Sequence, residues 1–137
     1  MRNYSKLGFR LLSVIILSSV FVFSQDYYVS NSLGSDTNSG SLSSPFKTIN
    51  KGVSMVNAGG TVYVMDGIYQ NENYGAVDIS TNTNMNNPHV VNINKSGAEG
   101  SYITLRNYPG DSPKIEFDGQ GGILIANNMN YIIIEGF

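Results

Sequence analysis

Tyr102-Ile103-Thr104-Leu105-Arg106-Asn107-Tyr108 and Tyr131-Ile132-Ile133-Ile134-Glu135-Gly136-Phe137 share one pattern: aromatic, isoleucine, any residue, aliphatic, any residue, small, aromatic. The copies begin 29 positions apart, and Lys114-Ile115-Glu116-Phe117 and Gly122-Ile123-Leu124-Ile125 lie between them as two more short apolar-rich segments. Side chains that alternate with period two belong to strands. Self-similarity at a spacing of 20 to 50 residues marks a solenoid, in which each repeat buries its apolar side chains against the next. Three very short strands per repeat, each with one or two inward aliphatics, fit one coil of such a stack.

Working outward, the same alternation runs through Thr61-Val62-Tyr63-Val64-Met65, followed by Asp66-Gly67-Ile68-Tyr69, and resumes at His89-Val90-Val91-Asn92-Ile93, with a weaker strand at Ala76-Val77-Asp78-Ile79-Ser80. Asn82 to Pro88, Lys95 to Gly100, Tyr108 to Pro113, Asp118 to Gly121 and Asn127 to Asn130 are turn material, rich in Asn, Asp, Ser, Gly and Pro. Asp26 to Ser30 forms a first strand, followed by a loop from Asn31 to Ser41 made almost wholly of turn formers. Ser44-Pro45 then offers an N-cap and a proline at the first helical position. Phe46, Ile49, Val53 and Val56 recur at three- and four-residue steps, and Gly59-Gly60 supplies a stop, which predicts a short amphipathic helix over 45–58. The expected fold is all-β: a right-handed parallel β-helix, a single-stranded solenoid with a short amino-terminal capping helix.

The first residues serve a different purpose. Met1 to Arg10 carries Arg2, Lys6 and Arg10 and no acid, and an apolar run from Leu11 to Phe23 follows, then Ser24-Gln25. A basic start, a short apolar stretch and small residues at the exit describe a secretory signal peptide, cleaved after Ser24. The alternative, an uncleaved anchor, asks for roughly 20 apolar residues, more than are present. The resulting organisation is 1–24 signal peptide, 25–60 amino-terminal cap and 61–137 first coils, leaving about 113 residues after cleavage. The chain stops on an apolar strand without a turn or polar tail, so the solenoid is expected to be incomplete, the front piece of a longer protein whose open last coil makes the isolated piece oligomeric or poorly soluble.

Composition excludes several functions. There is no cysteine, which rules out disulfides, thiolate metal sites, a cysteine nucleophile and a lipoprotein anchor. A net charge of −2 gives no basic footprint for nucleic acid. Charged residues make up 13% of the chain and the 41% hydrophobic content is too high for disorder, which suits an extracellular β-protein exposing Asn, Ser, Thr and Gly.

Candidate chemistry is sparse. Asp36-Thr37-Asn38-Ser39-Gly40 has the look of a calcium loop but lacks the downstream bidentate Glu of an EF-hand, and a plain turn explains it. Arg106, Lys114, Glu116 and Asp118 sit near strand ends, where they either face a sugar groove or form the solvent side of alternating strands. His89 is the only histidine, so no histidine pair can hold a metal. Tyr27, Tyr28, Tyr63, Tyr69, Tyr74, Tyr102, Tyr108 and Tyr131 can stack on sugar rings or pack between strands. Asn127, Asn128 and Asn130 suggest an asparagine ladder at a corner. No phosphate-binding glycine motif and no nucleophile elbow is present. No residue is assigned a catalytic, cofactor-binding or metal-binding role.

The segments Tyr27-Tyr28-Val29-Ser30, Gly34 to Gly40, Ser44-Pro45-Phe46-Lys47-Thr48-Ile49, Gly59-Gly60-Thr61-Val62-Tyr63-Val64, Gly67-Ile68-Tyr69 and Tyr102 to Ile115, in that order, resemble the opening segment of secreted right-handed parallel β-helix proteins. These include pectate-lyase-like, chondroitinase-like and alginate-lyase-like enzymes. The resemblance covers nearly all of the chain after the signal, with one departure at Gly60, where the family usually has an acidic residue. It implies that the helix plugs the open end of the solenoid. It also implies that a longer parent is a polysaccharide lyase acting on an acidic, uronate-containing glycan, with a Lys or Arg base and acids that hold calcium. No position here matches those catalytic residues, so the expectation is no cofactor within this segment, no activity from it alone and no membrane contact after cleavage. A non-catalytic β-helix for adhesion or carbohydrate binding, and a free-standing inactive protein, are the alternative readings.

Overall fold

The computed structural model describes residues 25–72, 74–75, 88–118 and 120–137. The expected signal peptide, the strand expected at Ala76–Ser80 and all but Pro88 of the Asn82–Pro88 loop lie outside the described residues. Among the described residues, eight strands and one helix follow in the order β1 (Tyr27–Val29), α1 (Ile49–Met55), β2 (Thr61–Val64), β3 (Ile68–Gln70), β4 (Val91–Ile93), β5 (Ile103–Asn107), β6 (Lys114–Glu116), β7 (Ile123–Ile125) and β8 (Ile132–Glu135). They form three parallel sheets: β1-β2-β5-β8, β3-β6 and β4-β7. Every pairing joins equivalent strands of successive coils, which is the connectivity of a parallel β-helix.

The two sequence copies lie directly on one another. Ile103 pairs with Ile132 and Leu105 with Ile134, reproducing the 29-residue spacing. Earlier coils are longer, with Tyr27 on Val62 and Thr61 on Thr104, because loops of unequal length leave the corners. The inward row of the first sheet is Tyr27–Val62–Leu105–Ile134, with Val29 on Val64 beside it. Val29, Val62, Val64, Val91 and Leu105 have no solvent exposure. Strands of three to five residues suffice because each contributes only one or two side chains to this interior, and the stack supplies the rest.

The helix is shorter than the predicted 45–58. Thr48, not Ser44, is the N-cap, its hydroxyl accepting from the Lys51 N–H at 3.1 Å. The reason lies in Phe46, whose backbone is committed to β1: its N–H donates to the Tyr28 carbonyl at 2.9 Å and its carbonyl accepts from the Ser30 N–H at 2.8 Å. Ser44-Pro45 is therefore extended. At the other end Val56 is already extended, and Gly59 hydrogen-bonds the Tyr102 carbonyl at 3.0 Å instead of capping the helix.

Helix α1 packs Ile49, Gly52 and Val53 inward against the first coil. A Cβ on Gly52 would stand 2.7 Å from Val62 Cγ1 and 3.0 Å from Val29 Cγ2, so the absence of a side chain sets how closely the helix settles on the sheet. The helix also satisfies the edge of the third sheet: Asn50 Oδ1 accepts from the Asn92 N–H at 2.8 Å. In return Lys95 Nζ donates to the Ser54 and Val56 carbonyls at 2.6 and 3.0 Å, pairing groups a helix end leaves open. These contacts cover the first coil as the capping role requires.

Candidate functional site

A groove of about 470 Å³ runs along the open edge of β3, between β3, the start of α1 and the approach to β4. Its walls are fixed by local chemistry. Asp36, in the loop that has the look of a calcium site, instead clamps the helix start: Oδ1 accepts from the Lys47 and Thr48 N–H groups at 2.9 Å each, and Oδ2 accepts from the Thr48 hydroxyl at 2.8 Å. The plain-turn reading holds, with a structural task added. On the opposite wall Asn31 reaches across the corner and donates from Nδ2 to the Ile68 carbonyl at 2.7 Å. Gly67, at φ +148, leaves room for that amide, since a Cβ there would collide with Asn31 Oδ1.

Tyr69 forms part of the floor. Its hydroxyl donates to the Met65 carbonyl at 3.0 Å and accepts from the Asn31 N–H at 3.3 Å. Burial, reinforced by Asp111 and Asp66, pushes its phenol up to about 12 despite the Asn31 hydrogen bond. At pH 7 the group is therefore neutral and structural. His89 stands on the groove wall beside Gly121, whose added Cβ would lie 3.3 Å from the imidazole.

A second surface is the outer face of the first sheet, where register aligns Tyr28, Tyr63, Arg106 and Glu135 in one row across four strands. Tyr28 and Tyr63 stack at 5.3 Å and 17°, and Tyr108 meets both edge-on at 6.0 and 6.2 Å. One ring face of each is taken up by the other, so strand packing accounts for that contact. Tyr27 packs on Phe46 at 5.4 Å and Tyr102 on Tyr131 at 5.8 Å, which extends that reading to most of the tyrosines.

Arg106 lies apart from the other charged candidates, Lys114, Glu116 and Asp118, which sit on or just after β6. Arg106 pairs with Glu135 at 3.1 Å on the first sheet. Glu116, on the second sheet beside the exposed Lys114, accepts from Gln70 Nε2 at 3.2 Å. Asp118 accepts from Asn71 Nδ2 at 2.7 Å and from the Gly75 N–H at 2.6 Å, while its own N–H donates to Asn71 Oδ1 at 3.1 Å. Among the described residues no group of three or more His, Cys, Asp or Glu side chains is gathered as a metal site, and no helix is long and apolar enough to cross a membrane.

The asparagine ladder expected at 127–130 is absent from that corner. Asn130 rests on Ser96, its N–H donating to Ser96 Oγ at 3.1 Å, and its amide turns to the Asn128 carbonyl at 3.0 Å. A serine occupies the equivalent place one coil earlier, so no second amide is available to stack on. Polar ladders do form elsewhere, at Asn71/Asp118 and at Asp66/Asp111, where Asp111 Oδ2 accepts from the Asp66 N–H at 3.0 Å and Asp66 Oδ1 from the Ser112 N–H at 2.5 Å. Their partners lie 45 to 47 positions apart, unlike the 29 of the visible repeat, which hid them in the sequence. The groove was hidden for the same reason, since its walls come from four separated stretches.

Three comparisons bear on this architecture. No curated protein matches the chain. Among solved structures, a rhamnogalacturonan lyase superposes with a TM-score of 0.60 at 26% identity, covering 82% of this chain and 28% of that one. The complex of XylC with xylose is 28% identical over 65% of this chain and 11% of its own, with a TM-score of 0.48. A GH136 lacto-N-biosidase from Eubacterium ramulus is 20% identical over 61% of this chain and 11% of its own, with a TM-score of 0.45. The chain thus spans well under a third of the length of each of these neighbours. The model of the Pel9A-like right-handed β-helix region matches residues 27–137, the whole stretch from β1 through β8, and the chain belongs to that family.

Proposed function

We propose that this chain is the amino-terminal part of a secreted polysaccharide-degrading β-helix enzyme, a lyase acting on an acidic, uronate-containing glycan. The observation that carries the reading is the superposition on a rhamnogalacturonan lyase over most of this chain, at an identity above that of a bare fold likeness. The signal-peptide pattern of residues 1–24 supports export. In such a reaction a base removes the proton beside the uronate carboxylate, the glycosidic oxygen leaves, and a carbon–carbon double bond remains at the new non-reducing end. A calcium ion held by acids would neutralise the carboxylate. The described residues gather no such constellation, so the reading places the reacting groups on other coils and gives these coils the task of building and closing the solenoid.

The full product of the reading frame, incubated with polygalacturonate and with rhamnogalacturonan, is expected to release fragments with unsaturated ends that absorb in the ultraviolet, and chelation by EDTA is expected to abolish their release. Reducing ends without unsaturation would replace the lyase by a hydrolase. Absence of cleavage would favour the second reading, a non-catalytic glycan-binding β-helix. That reading draws on Arg106, Glu116 and Asp118, each engaged with its own neighbour.

A further inference from the structure

We infer that the groove along β3 is a binding site for one neutral, hydroxyl-rich sugar unit of a glycan. Its volume, about 470 Å³, is within the range of small-molecule sites. Its lining pairs an apolar floor with neutral hydrogen-bonding groups. Ile49 and Val90 are 2% and 8% exposed, whereas Ile68 keeps 48% of its surface open above them. Around this floor stand Asn50, Gln70, His89 and Asn92.

These polar groups have capacity to spare. Asn50 spends its Oδ1 on the Asn92 N–H, leaving its Nδ2 amino group without a partner among the described residues. Gln70 donates to Glu116 and keeps its carbonyl oxygen. The Asn92 amide and the His89 imidazole have no hydrogen-bond partner among the described residues. Donors and acceptors ranged over an apolar floor are what a pyranose needs, since its hydroxyls point outward in a ring and its C–H face is apolar.

Charge decides against an acidic ligand. Lys47 and Glu72 line the groove with one charge of each sign, so the lining carries no excess cation to select a carboxylate. Backbone geometry decides against an added peptide strand. Gly67 turns its carbonyl to the Lys114 N–H of β6, so the alternation of a parallel pair points the peptide groups of Ile68 and Gln70 into the groove. Asn31 already occupies the Ile68 carbonyl, which leaves too short a row to template a strand. The walls are also preorganised by the Asp36 clamp and the Asn50–Asn92 bond, which lowers the ordering cost of binding.

The sugar class rests on the polysaccharide reading above, but the test requires no turnover, so the two fail separately. Saturation-transfer NMR on the whole chain, with methyl β-D-galactopyranoside, methyl β-D-xylopyranoside and galacturonate as probes, is expected to show transfer to a neutral glycoside with a dissociation constant on the order of 1 mM. Ile68→Arg, at an exposed position, is expected to abolish transfer by filling the groove, and Asn92→Ala to weaken binding by about tenfold. Tyr63→Ala, on the other face, is expected to leave it unchanged; circular dichroism establishes that each variant is folded. No transfer from either neutral glycoside, transfer that survives Ile68→Arg in a folded protein, or a clear preference for galacturonate would each overturn the proposal. Cleavage of polygalacturonate alongside any of those results would leave the lyase reading intact.

Discussion

Leu105 and Ile134 occupy the same inward row of the same sheet, one coil apart, yet they live in different environments. Leu105 has Val62 on one side and Ile134 on the other and no solvent exposure; Ile134 has a neighbour on one side only and is half-buried. The contrast repeats in the third sheet, where Ile93 is 2% exposed and its partner Ile125 is 45% exposed. Alternation and register are identical in the two coils. In a solenoid, then, burial belongs to the stack rather than to the strand, because a side chain is enclosed only when a coil lies on each side. At the opposite end that second side comes from α1 and the residue after it, with Ile49, Val53 and Val56 in place of a preceding coil.

The largest effect should separate those two coils directly. In the 137-residue chain, Leu105→Ala is expected to cost about 3 kcal/mol in urea unfolding, from lost burial plus a cavity enclosed on both sides, whereas Ile134→Ala should cost about 1 kcal/mol there, where no coil is stacked on it. Equal losses would break the comparison.

A smaller effect tests the first coil through pH. Tyr69 is neutral in the fold and its phenol is raised to about 12 from an ordinary 10.0, so its contribution is complete below pH 10 and is lost as pH climbs toward 12. Over that window the wild type is expected to lose on the order of 2 kcal/mol that Tyr69→Phe does not lose, while below pH 10 the variant is the less stable by about 1 kcal/mol for its missing hydrogen bonds. Parallel stability curves above pH 10 would place Tyr69 in a solvated site.

Smaller again, Asp36→Ala is expected to cost about 1 kcal/mol by freeing the Lys47 and Thr48 amides, with faster amide exchange through α1 and none in β8. The smallest is at the far end: breaking the Arg106–Glu135 pair with Glu135→Gln should change stability by about 0.3 kcal/mol, since its side chains are 42% and 49% exposed and salt screens them.

Much of the architecture is legible in the chain because it depends on short-range patterns. The period-two alternation locates the described strands other than β3 to within a residue or two, and the 29-residue copy at Tyr102 and Tyr131 predicts the β5–β8 register. The helix starts later than the local signal predicts because Ser44-Pro45, sound by itself, is overridden by a long-range commitment: Phe46 is already paired with β1. Asp36 reads as a turn residue for good reason, but its target, a helix start 11 and 12 residues on, is invisible to any local rule.

Side-chain period, turn chemistry and the internal copy are properties of neighbouring residues, and they suffice to specify short strands, corners and a coiled stack. Which residues meet across coils is a different matter. Loops of unequal length place Asn71 on Asp118 and Asp66 on Asp111, assemble the groove from Asn31, the helix start, β3 and the approach to β4, and set Arg106 on a different sheet from Glu116 and Asp118. Those meetings are settled by how far each coil travels before it returns, a sum over the whole turn that no single stretch of sequence contains.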